Sequence, residues 1–263
     1  MEKNNHIKVI VATHKKYDMP NDNMYLPLQV GAAGKESLGY TKDDTGENIS
    51  KKNPYFCELT GLYWAWKNIN ADYIGLAHYR RHFCFKKKSK NNFENILTYS
   101  ETCELLEKSD VILPKKRKYY VETLYSHYEH TMYIEPLDET GKIIAEICPE
   151  YLPYFNKLHH RTSAHMFNMF IMKKEIFDSY CEWLFKILFE LEKRIDTSKY
   201  NSFHARFYGR VSELLLDVYL QKNNISYKEI NFIYMEKINF LKKVTGFLFA
   251  KFGGKKYGES FWF

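Results

Sequence analysis

The chain has 263 residues, of which 45% are hydrophobic, so it is long enough to bury a sizeable core and is not a disordered protein. Its formal charge of +7 favours an anionic partner such as a nucleotide, a nucleic acid or a membrane surface. The five cysteines are scattered and never spaced as CxxC, which argues against a disulfide framework and a structural zinc site and predicts a cytosolic chain. No signal peptide and no apolar run long enough to span a bilayer occurs, which argues against an integral membrane protein.

The first part of the chain predicts alternating strands and helices. The β-branched run Ile7–His14 predicts a buried first strand, and Leu26–Gly31 predicts a short second strand. Asn53 is placed to cap a helix that carries Pro54 at its first position and continues to about Asn68. A chain that alternates strand, helix and strand in this way predicts an α/β fold with a mostly parallel sheet.

The stretch DYIGLAHYRRHFCF, Asp72–Phe85, begins as an apolar run typical of a strand buried on both faces. It continues without a turn signal into His78-Tyr79-Arg80-Arg81-His82. Open α/β sheets bind ligands at the carboxyl ends of their strands, and the planar fork of arginine matches phosphate oxygens. The pattern therefore predicts a site for a ligand that carries phosphates. The alternative is a basic edge strand on a solvated hairpin.

The second part of the chain predicts strands at Asp110–Pro114 and Ala164–Met172, and a long amphipathic helix from Lys174 to about Ile195. Residues 119–160 predict helices in pieces, with Gly141 at a turn. We interpret them as a helical insertion in the α/β core, a common place for acceptor specificity.

The last segment, residues 236–263, is basic and apolar. It suits an amphipathic tail lying on an anionic bilayer, with its phenylalanines inserted and its lysines at the headgroups. The alternative is a C-terminal helix that docks on the protein's own core. The predicted organisation is one domain over residues 1–235, followed by this tail.

Seven stretches between residues 8 and 220 resemble a bacterial family of capsular and exopolysaccharide glycosyltransferases long filed as a domain of unknown function. They are VATHK (Val11–Lys15), LQVGA (Leu28–Ala32), DDTGENIS (Asp43–Ser50), CELTGLYWAWKN (Cys57–Asn68), GLAHYRRHF (Gly75–Phe83), FNMFIM (Phe167–Met172) and RVSELLL (Arg210–Leu216). The resemblance implies a GT-A-like, Rossmann-related fold, with a mixed, mostly parallel sheet flanked by helices. It also implies transfer of a sugar from a nucleotide diphosphate sugar, expected to be a UDP-sugar, to a lipid-linked or growing polysaccharide. Some relatives resemble galactosyl- or galactofuranosyltransferases.

The resemblance and the residue pattern together give a set of expected site residues. Arg80 and Arg81 are expected to hold the diphosphate, and Glu213 is the expected base for an acceptor hydroxyl if the reaction inverts, or a positioning group if it retains. Asn168 is expected to position a sugar. The expected donor-binding residues are Thr13, His14, Gly31, Asp44, Asn48, His78, Tyr79, His82, Asn168 and Arg210.

Many GT-A enzymes end the strand equivalent to Asp72–Phe85 with an Asp-x-Asp that holds a divalent metal. Here positive side chains stand in that position and are expected to neutralise the diphosphate themselves, which favours a metal-independent reaction. The alternative is manganese or magnesium bound by Asp43 or Asp44. We expect a peripheral enzyme at the inner face of the cell membrane that binds no nucleic acid. Two other functions stay open, a non-catalytic nucleic-acid-binding protein and an inactive scaffold of a polysaccharide assembly complex.

Overall fold

The computed structural model describes residues 5–236, which form two compact units. The first unit comprises the chain up to Lys115, Phe167–Trp183 and Ile225–Met235, and the second comprises Lys116–Met166 and Leu184–Asn224. The predicted tail, apart from Glu236, lies outside the described residues.

The described residues contain ten strands and eight α-helices. The strands are β1 (Ile7–Thr13), β2 (Tyr25–Gln29), β3 (Thr41–Lys42), β4 (Tyr73–His78), β5 (Arg81–Cys84), β6 (Val111–Pro114), β7 (Arg117–Lys118), β8 (Ser163–Ala164), β9 (Phe170–Lys173) and β10 (Lys228–Tyr234). The helices are α1 (Asn53–Phe56), α2 (Leu59–Asn68), α3 (Tyr99–Leu106), α4 (Leu124–Thr131), α5 (Glu135–Ile147), α6 (Leu152–His159), α7 (Lys174–Arg194) and α8 (Phe207–Lys222).

The first unit is built on an eight-stranded mixed sheet with the order β3-β2-β1-β4-β5-β10-β6-β9. Strand β9 also pairs with β4, so that β4, β5, β10, β6 and β9 close a small ring. The pairings β1–β2, β1–β4, β2–β3 and β6–β10 are parallel, and those that involve β5 or β9 are antiparallel. The expected mixed α/β class is confirmed.

The apolar, β-branched sequence of β1 explains its central position. From Val9 to Ala12 every residue of the strand is fully buried, because β2 and β4 flank it on both sides. Strand β4 is buried in the same way from Tyr73 to Ala77. Gly75 of β4 has no room for a side chain, since a Cβ there would lie 2.8 Å from the carbonyl oxygen of Phe170.

The single helix predicted from Asn53 to Asn68 is wrong, because the structure divides it into α1 and α2. Cys57 separates them with a φ of 53°, a left-handed conformation that few non-glycine residues adopt and that stops a right-handed helix. Helix α2 then lies close against the end of β2, where a Cβ on Gly61 would lie 3.1 Å from the Leu28 side chain and 2.8 Å from that of Val30, the residue after the strand.

The strand predicted over Ala164–Met172 is also interrupted. Strand β8 ends at Ala164, and β9 begins only at Phe170. Between them Phe167 has a φ of 83° and Asn168 a φ of 52°, which removes both residues from the extended conformation that a strand needs. Two predicted continuous elements are therefore broken at residues 57 and 167–168.

The second unit contains α4, α5, α6 and α8, part of α7, and the short antiparallel pair β7–β8. It confirms helices in pieces over the predicted insertion. The turn predicted at Gly141 is wrong, since this glycine lies inside α5, where a Cβ would come within 3.0 Å of the Phe155 ring. No helix within residues 5–236 combines the length and the apolarity that crossing a bilayer requires.

Candidate functional site

The expected site residues of the first unit gather at one edge of its sheet. Strand register places Ala12 beside His78 and Thr13 beside Gln29, so the carboxyl ends of β1, β2 and β4 lie together. Because β9 is antiparallel to β4, with Phe170 opposite Leu76, the chain just before β9 reaches the same edge. This is the edge at which α/β sheets bind ligands.

Tyr79 is the centre of this edge. Its ring is 2% exposed and contacts the rings of His14 and His78, with centroid distances of 5.5 and 4.4 Å. Two cations lie near the same ring, the Lys15 ammonium at 5.1 Å and the Arg80 guanidinium at 5.2 Å from the centroid. The aromatic ring thus brings the basic residues that follow β1 next to those that follow β4.

Arg80 lies in the turn of the β4–β5 hairpin, and Arg81 is the first residue of β5. Both side chains are partly exposed. The backbone N–H of Met235 donates to the Arg80 carbonyl at 2.9 Å, which fixes the turn to the end of β10. The Arg81 guanidinium lies over the Phe167 ring, 4.2 Å from its centroid. Stacking of this kind orients the guanidinium plane.

The two histidines of the hairpin add no positive charge at neutral pH. Burial, followed by the charges of Arg81 and Arg80, holds the pKa of His78 well below its usual range, and its Nδ1 accepts the Arg80 backbone N–H at 3.2 Å. Burial lowers the pKa of His82 to about 4. His82 is completely buried and packs edge-on against the ring of Tyr25. The two arginines therefore carry the charge of the hairpin.

Thr13, His14 and Gly31 lie beside the hairpin on the ends of β1 and β2. The buried Thr13 hydroxyl donates to the Lys15 carbonyl at 2.6 Å and so shapes the turn that presents the exposed His14. Gly31 has a φ of 62°, and a Cβ there would lie 2.3 Å from Oδ1 of Asn53. No other residue fits this close approach.

Asp43 is the best-satisfied carboxylate of this edge. It is fully buried and accepts four hydrogen bonds, which come from the Gly31 and Ala32 backbone N–H groups at 2.8 and 2.9 Å, the Ser50 hydroxyl at 2.5 Å and the Thr60 hydroxyl at 2.7 Å. We call Asp43 and these four donors the Asp43 cluster. It ties the chain after β2 to α2 and leaves Asp43 no open lone pair for a ligand.

Asp44 and Asn48 are two further expected site residues, and both side chains contact residues of their own loop. Asp44 pairs with Lys42 at 3.1 Å. The Asn48 amide donates to the Gly46 carbonyl at 2.9 Å, and its oxygen accepts from the Ser50 N–H at 3.2 Å. Within residues 5–236 no group of three or more histidine, cysteine, aspartate or glutamate side chains is arranged to hold a metal ion.

Asn168 is hydrogen-bonded to Glu58, which was not among the site residues expected from the sequence. Its side-chain amide donates to Oε1 of Glu58 at 2.8 Å, and Asn168 itself is only 2% exposed. Glu58 is the residue between the left-handed Cys57 and the start of α2, and it is partly exposed. The only sequence signal for it was its place in the CELTGLYWAWKN stretch.

The remaining expected residues, Arg210 and Glu213, belong to the second unit. Both lie on α8 and both are partly exposed. The Arg210 guanidinium lies over the Phe203 ring, 4.6 Å from its centroid. Nearby on the same helix, the buried carboxylate of Asp217 accepts from Arg161 at 2.9 Å and from Nδ1 of His165 at 2.5 Å. That buried cluster anchors α8 within the second unit.

A pocket of about 690 Å³ lies at the other end of β1, lined by residues that include Ile7, Asp22, Met24 and Tyr99. It surrounds the amino end of the strand, whereas ligands of parallel α/β sheets bind at the carboxyl ends. We therefore assign the candidate site to the carboxyl edge.

Residues 8–224 match a protein family described as Domain of unknown function (DUF4422). The chain belongs to the DUF4422 family. This DUF4422 chain is also similar to the apo structure of WbbM, a bifunctional glycosyltransferase, with 33% sequence identity and a TM-score of 0.82. The match covers 89% of this chain and 46% of WbbM, so this chain spans about half the length of that protein. No curated protein sequence matches the chain.

Proposed function

We propose that this protein is a glycosyltransferase that takes a sugar from a nucleotide diphosphate sugar, with UDP as the expected nucleotide. The observation that carries the proposal is the Arg80–Arg81 pair at the carboxyl end of β4, in a chain similar to a solved glycosyltransferase. A parallel core that ends in a basic hairpin supports a GT-A-like arrangement in which the first unit holds the donor. The residues of the first unit proposed to line the donor are Thr13, His14, Gly31, Asp44, Asn48, His78, Tyr79 and Asn168, whereas the completely buried His82 supports the hairpin from within the core.

The proposed reaction is a displacement at the anomeric carbon of the donor sugar. The acceptor oxygen forms a bond to that carbon, and the bond from carbon to diphosphate breaks with its electron pair leaving on the diphosphate. Arg80 and Arg81 neutralise the charge that develops there, which is the role of preorganised cations in phosphoryl and glycosyl transfer. The acceptor proton goes to a base, for which Glu213 is our candidate.

We propose that the reaction needs no divalent metal. Two observations on this edge of the sheet support the proposal, the charge of the arginines and the saturation of Asp43 by four donors. Manganese or magnesium at Asp44 is the competing arrangement. Turnover that persists in EDTA supports the proposal, and turnover that EDTA abolishes and manganese restores contradicts it.

The proposed acceptor is a lipid-linked or growing capsular or exopolysaccharide glycan at the inner face of the cell membrane. The formal charge of +7 supports contact with an anionic bilayer. We place that contact on residues 237–263. Flotation of the full-length chain and of a chain ending at Met235 with anionic vesicles tests it, and equal flotation of both would contradict it.

A thermal-shift screen of nucleotide sugars tests the proposed function. A ligand that binds only the folded state adds about 2.7 kcal/mol to the free energy of unfolding when its concentration is a hundred times its Kd. The melting temperature rises as a result. We expect one class of nucleotide sugar and its parent nucleoside diphosphate to raise it. No shift with any nucleotide, together with salt-sensitive retention on DNA, would instead favour the nucleic-acid-binding alternative. Binding without transfer to any glycan would favour the inactive scaffold.

A further inference from the structure

We infer that Glu58 and Asn168 form a binding subsite for the hydroxyl groups of the donor sugar, in which Glu58 accepts the hydrogen bond and Asn168 holds Glu58 in place. The inference rests on the proposed function, because it names the part of the donor that these two residues recognise. It is argued from three features of the first unit: the hydrogen bonding of Glu58, the backbone conformation around the pair, and its connection to Arg81.

The first feature is the Glu58 carboxylate, of which one oxygen is hydrogen-bonded to the described part of the protein and the other is not. Oε1 of Glu58 accepts the amide N–H of Asn168, and within residues 5–236 Oε2 has no hydrogen-bond partner. Glu58 is partly exposed, so a ligand hydroxyl can reach Oε2. An ionised carboxylate accepts up to about four hydrogen bonds, and a sugar hydroxyl is a donor of the right kind.

The second feature is backbone strain concentrated at this pair. Non-glycine residues with positive φ within residues 5–236 are Cys57, Phe167, Asn168 and Asn224. Three of these four positions adjoin or belong to the Glu58–Asn168 pair. Positive φ is a genuine outlier for a residue as bulky as phenylalanine, and conformations of this kind persist where the surrounding structure imposes them, often at ligand sites.

The third feature is a continuous chain of contacts from the pair to the proposed diphosphate site. The Phe167 ring lies under the Arg81 guanidinium at 4.2 Å, and it also packs edge-on against Phe232, with a centroid distance of 5.2 Å. Asn168 follows Phe167 directly and reaches Glu58. In a nucleotide sugar the diphosphate joins the donor sugar to the ribose, so a hydroxyl-binding group connected to the diphosphate cations faces one of these two sugars and not the base. We assign it to the donor sugar, and the comparison of UDP, which keeps only the ribose, with a nucleotide sugar tests that assignment.

A purely structural role for Glu58 predicts a different arrangement. The neighbouring Asp43 is completely buried with all of its oxygens engaged, whereas Glu58 is partly exposed with one oxygen available. A carboxylate whose role is only to connect two segments does not need an exposed oxygen that lacks a protein partner. The strained segment and its amide instead set the direction of that oxygen.

The test measures binding of UDP and of UDP-galactose by calorimetry, with the best nucleotide sugar of the screen used in the same way. Glu58→Gln is the decisive variant, because its amide oxygen can still accept from Asn168 while its amide nitrogen replaces the sugar-facing acceptor. We expect the Kd for UDP to stay within twofold and the Kd for the nucleotide sugar to rise about tenfold, the low end for a hydrogen bond to a charged group. Asn168→Asp, which places two carboxylates together, should give the same pattern.

The matched control is Glu36→Gln, the same substitution at an exposed glutamate of the first unit. It should leave both Kd values unchanged. A nucleotide-sugar Kd within twofold of wild type in Glu58→Gln overturns the subsite, and so does an equal loss of UDP and nucleotide-sugar affinity, which marks a structural role. If wild-type protein binds neither UDP nor any nucleotide sugar, the proposed function fails and the subsite fails with it, an outcome distinct from the first two.

Discussion

Two carboxylates at the same edge of the sheet differ in burial and in hydrogen bonding, and we propose a structural role for one and a ligand-binding role for the other. Asp43 is fully buried and accepts four hydrogen bonds within its cluster. Glu58 is partly exposed and accepts one, from Asn168. A buried carboxylate needs hydrogen-bond donors from its own protein, whereas a partly exposed carboxylate can accept hydrogen bonds from water or from a ligand. The comparison teaches that two carboxylates at one edge, alike in acidity, can be distinguished by the number of donors around each.

The comparison is broken most directly by removing each carboxylate in turn. Asp43→Ala leaves three buried donors without an acceptor and the Thr60 hydroxyl with only the Cys57 carbonyl, and we expect it to lower the free energy of unfolding by about 4 kcal/mol. Glu58→Ala removes one acceptor, that of the Asn168 amide, and should lower it by about 1 kcal/mol. Urea denaturation of both variants and of wild type measures the difference. Equal destabilisation by the two substitutions would show that Glu58 is as structural as Asp43.

The second prediction extends the comparison to the two arginines of the β4–β5 hairpin. Arg80→Ala and Arg81→Ala should each reduce sugar transfer about a hundredfold, corresponding to about 3 kcal/mol of lost transition-state stabilisation. The melting temperature should change little, because both side chains are partly exposed. Lys35→Ala, which removes an exposed positive charge from the same unit, is the control and should retain full activity. Wild-type turnover in both arginine variants would remove the hairpin from the mechanism.

The third prediction contrasts Arg81 with its neighbour His82, which is buried. Because burial lowers the pKa of His82 to about 4 from an ordinary 6.5, the unfolded chain binds a proton below pH 6.5 that the folded chain refuses until about pH 4. Stability should therefore fall with falling pH across this window, by roughly 3 kcal/mol in total. His82→Phe keeps a ring against Tyr25 and cannot titrate, so its stability should fall less between pH 7 and 5. Parallel pH curves for the two proteins would contradict this assignment.

The smallest effect concerns the strained backbone beside Glu58. Asn168→Gly relieves the positive φ and removes the amide, and we expect the two consequences to leave the free energy of unfolding within about 1 kcal/mol of wild type. Asn168→Ala has neither the amide nor a tolerance for positive φ and should be less stable than Asn168→Gly. Denaturation of the pair of variants measures this ordering, and the reverse ordering would mean that no strain is stored at this position.

The sequence predicted the elements that follow from local pattern. The apolar runs of β1 and β4 identified the core strands, and the spacing in α7 identified the long helix. The position of Arg80 and Arg81 after a buried run correctly placed them at the carboxyl end of β4. The resemblance to a family filed as a domain of unknown function was confirmed by the match over residues 8–224. These features depend on residues that are near one another in the chain.

The sequence did not predict the features that depend on distant contacts. Nothing in the residue types at Cys57, Phe167 or Asn168 indicates a left-handed backbone, since glycine is the usual residue there. The helix and the strand predicted across these positions were therefore wrong. The donors of Asp43 lie between Gly31 and Thr60 in the sequence and converge only in the fold, so the sequence could not show that four protein groups already bind this loop aspartate.

The central claim is that Arg80 and Arg81 bind the diphosphate of a nucleotide sugar at the carboxyl edge of the sheet. A crystal structure of the full-length protein with UDP-galactose, or with the nucleotide sugar that the screen selects, tests it most directly. The account predicts diphosphate oxygens about 3 Å from both guanidiniums and a sugar hydroxyl at a similar distance from Oε2 of Glu58. A nucleotide bound elsewhere, for example in the pocket at the amino end of β1, would contradict it.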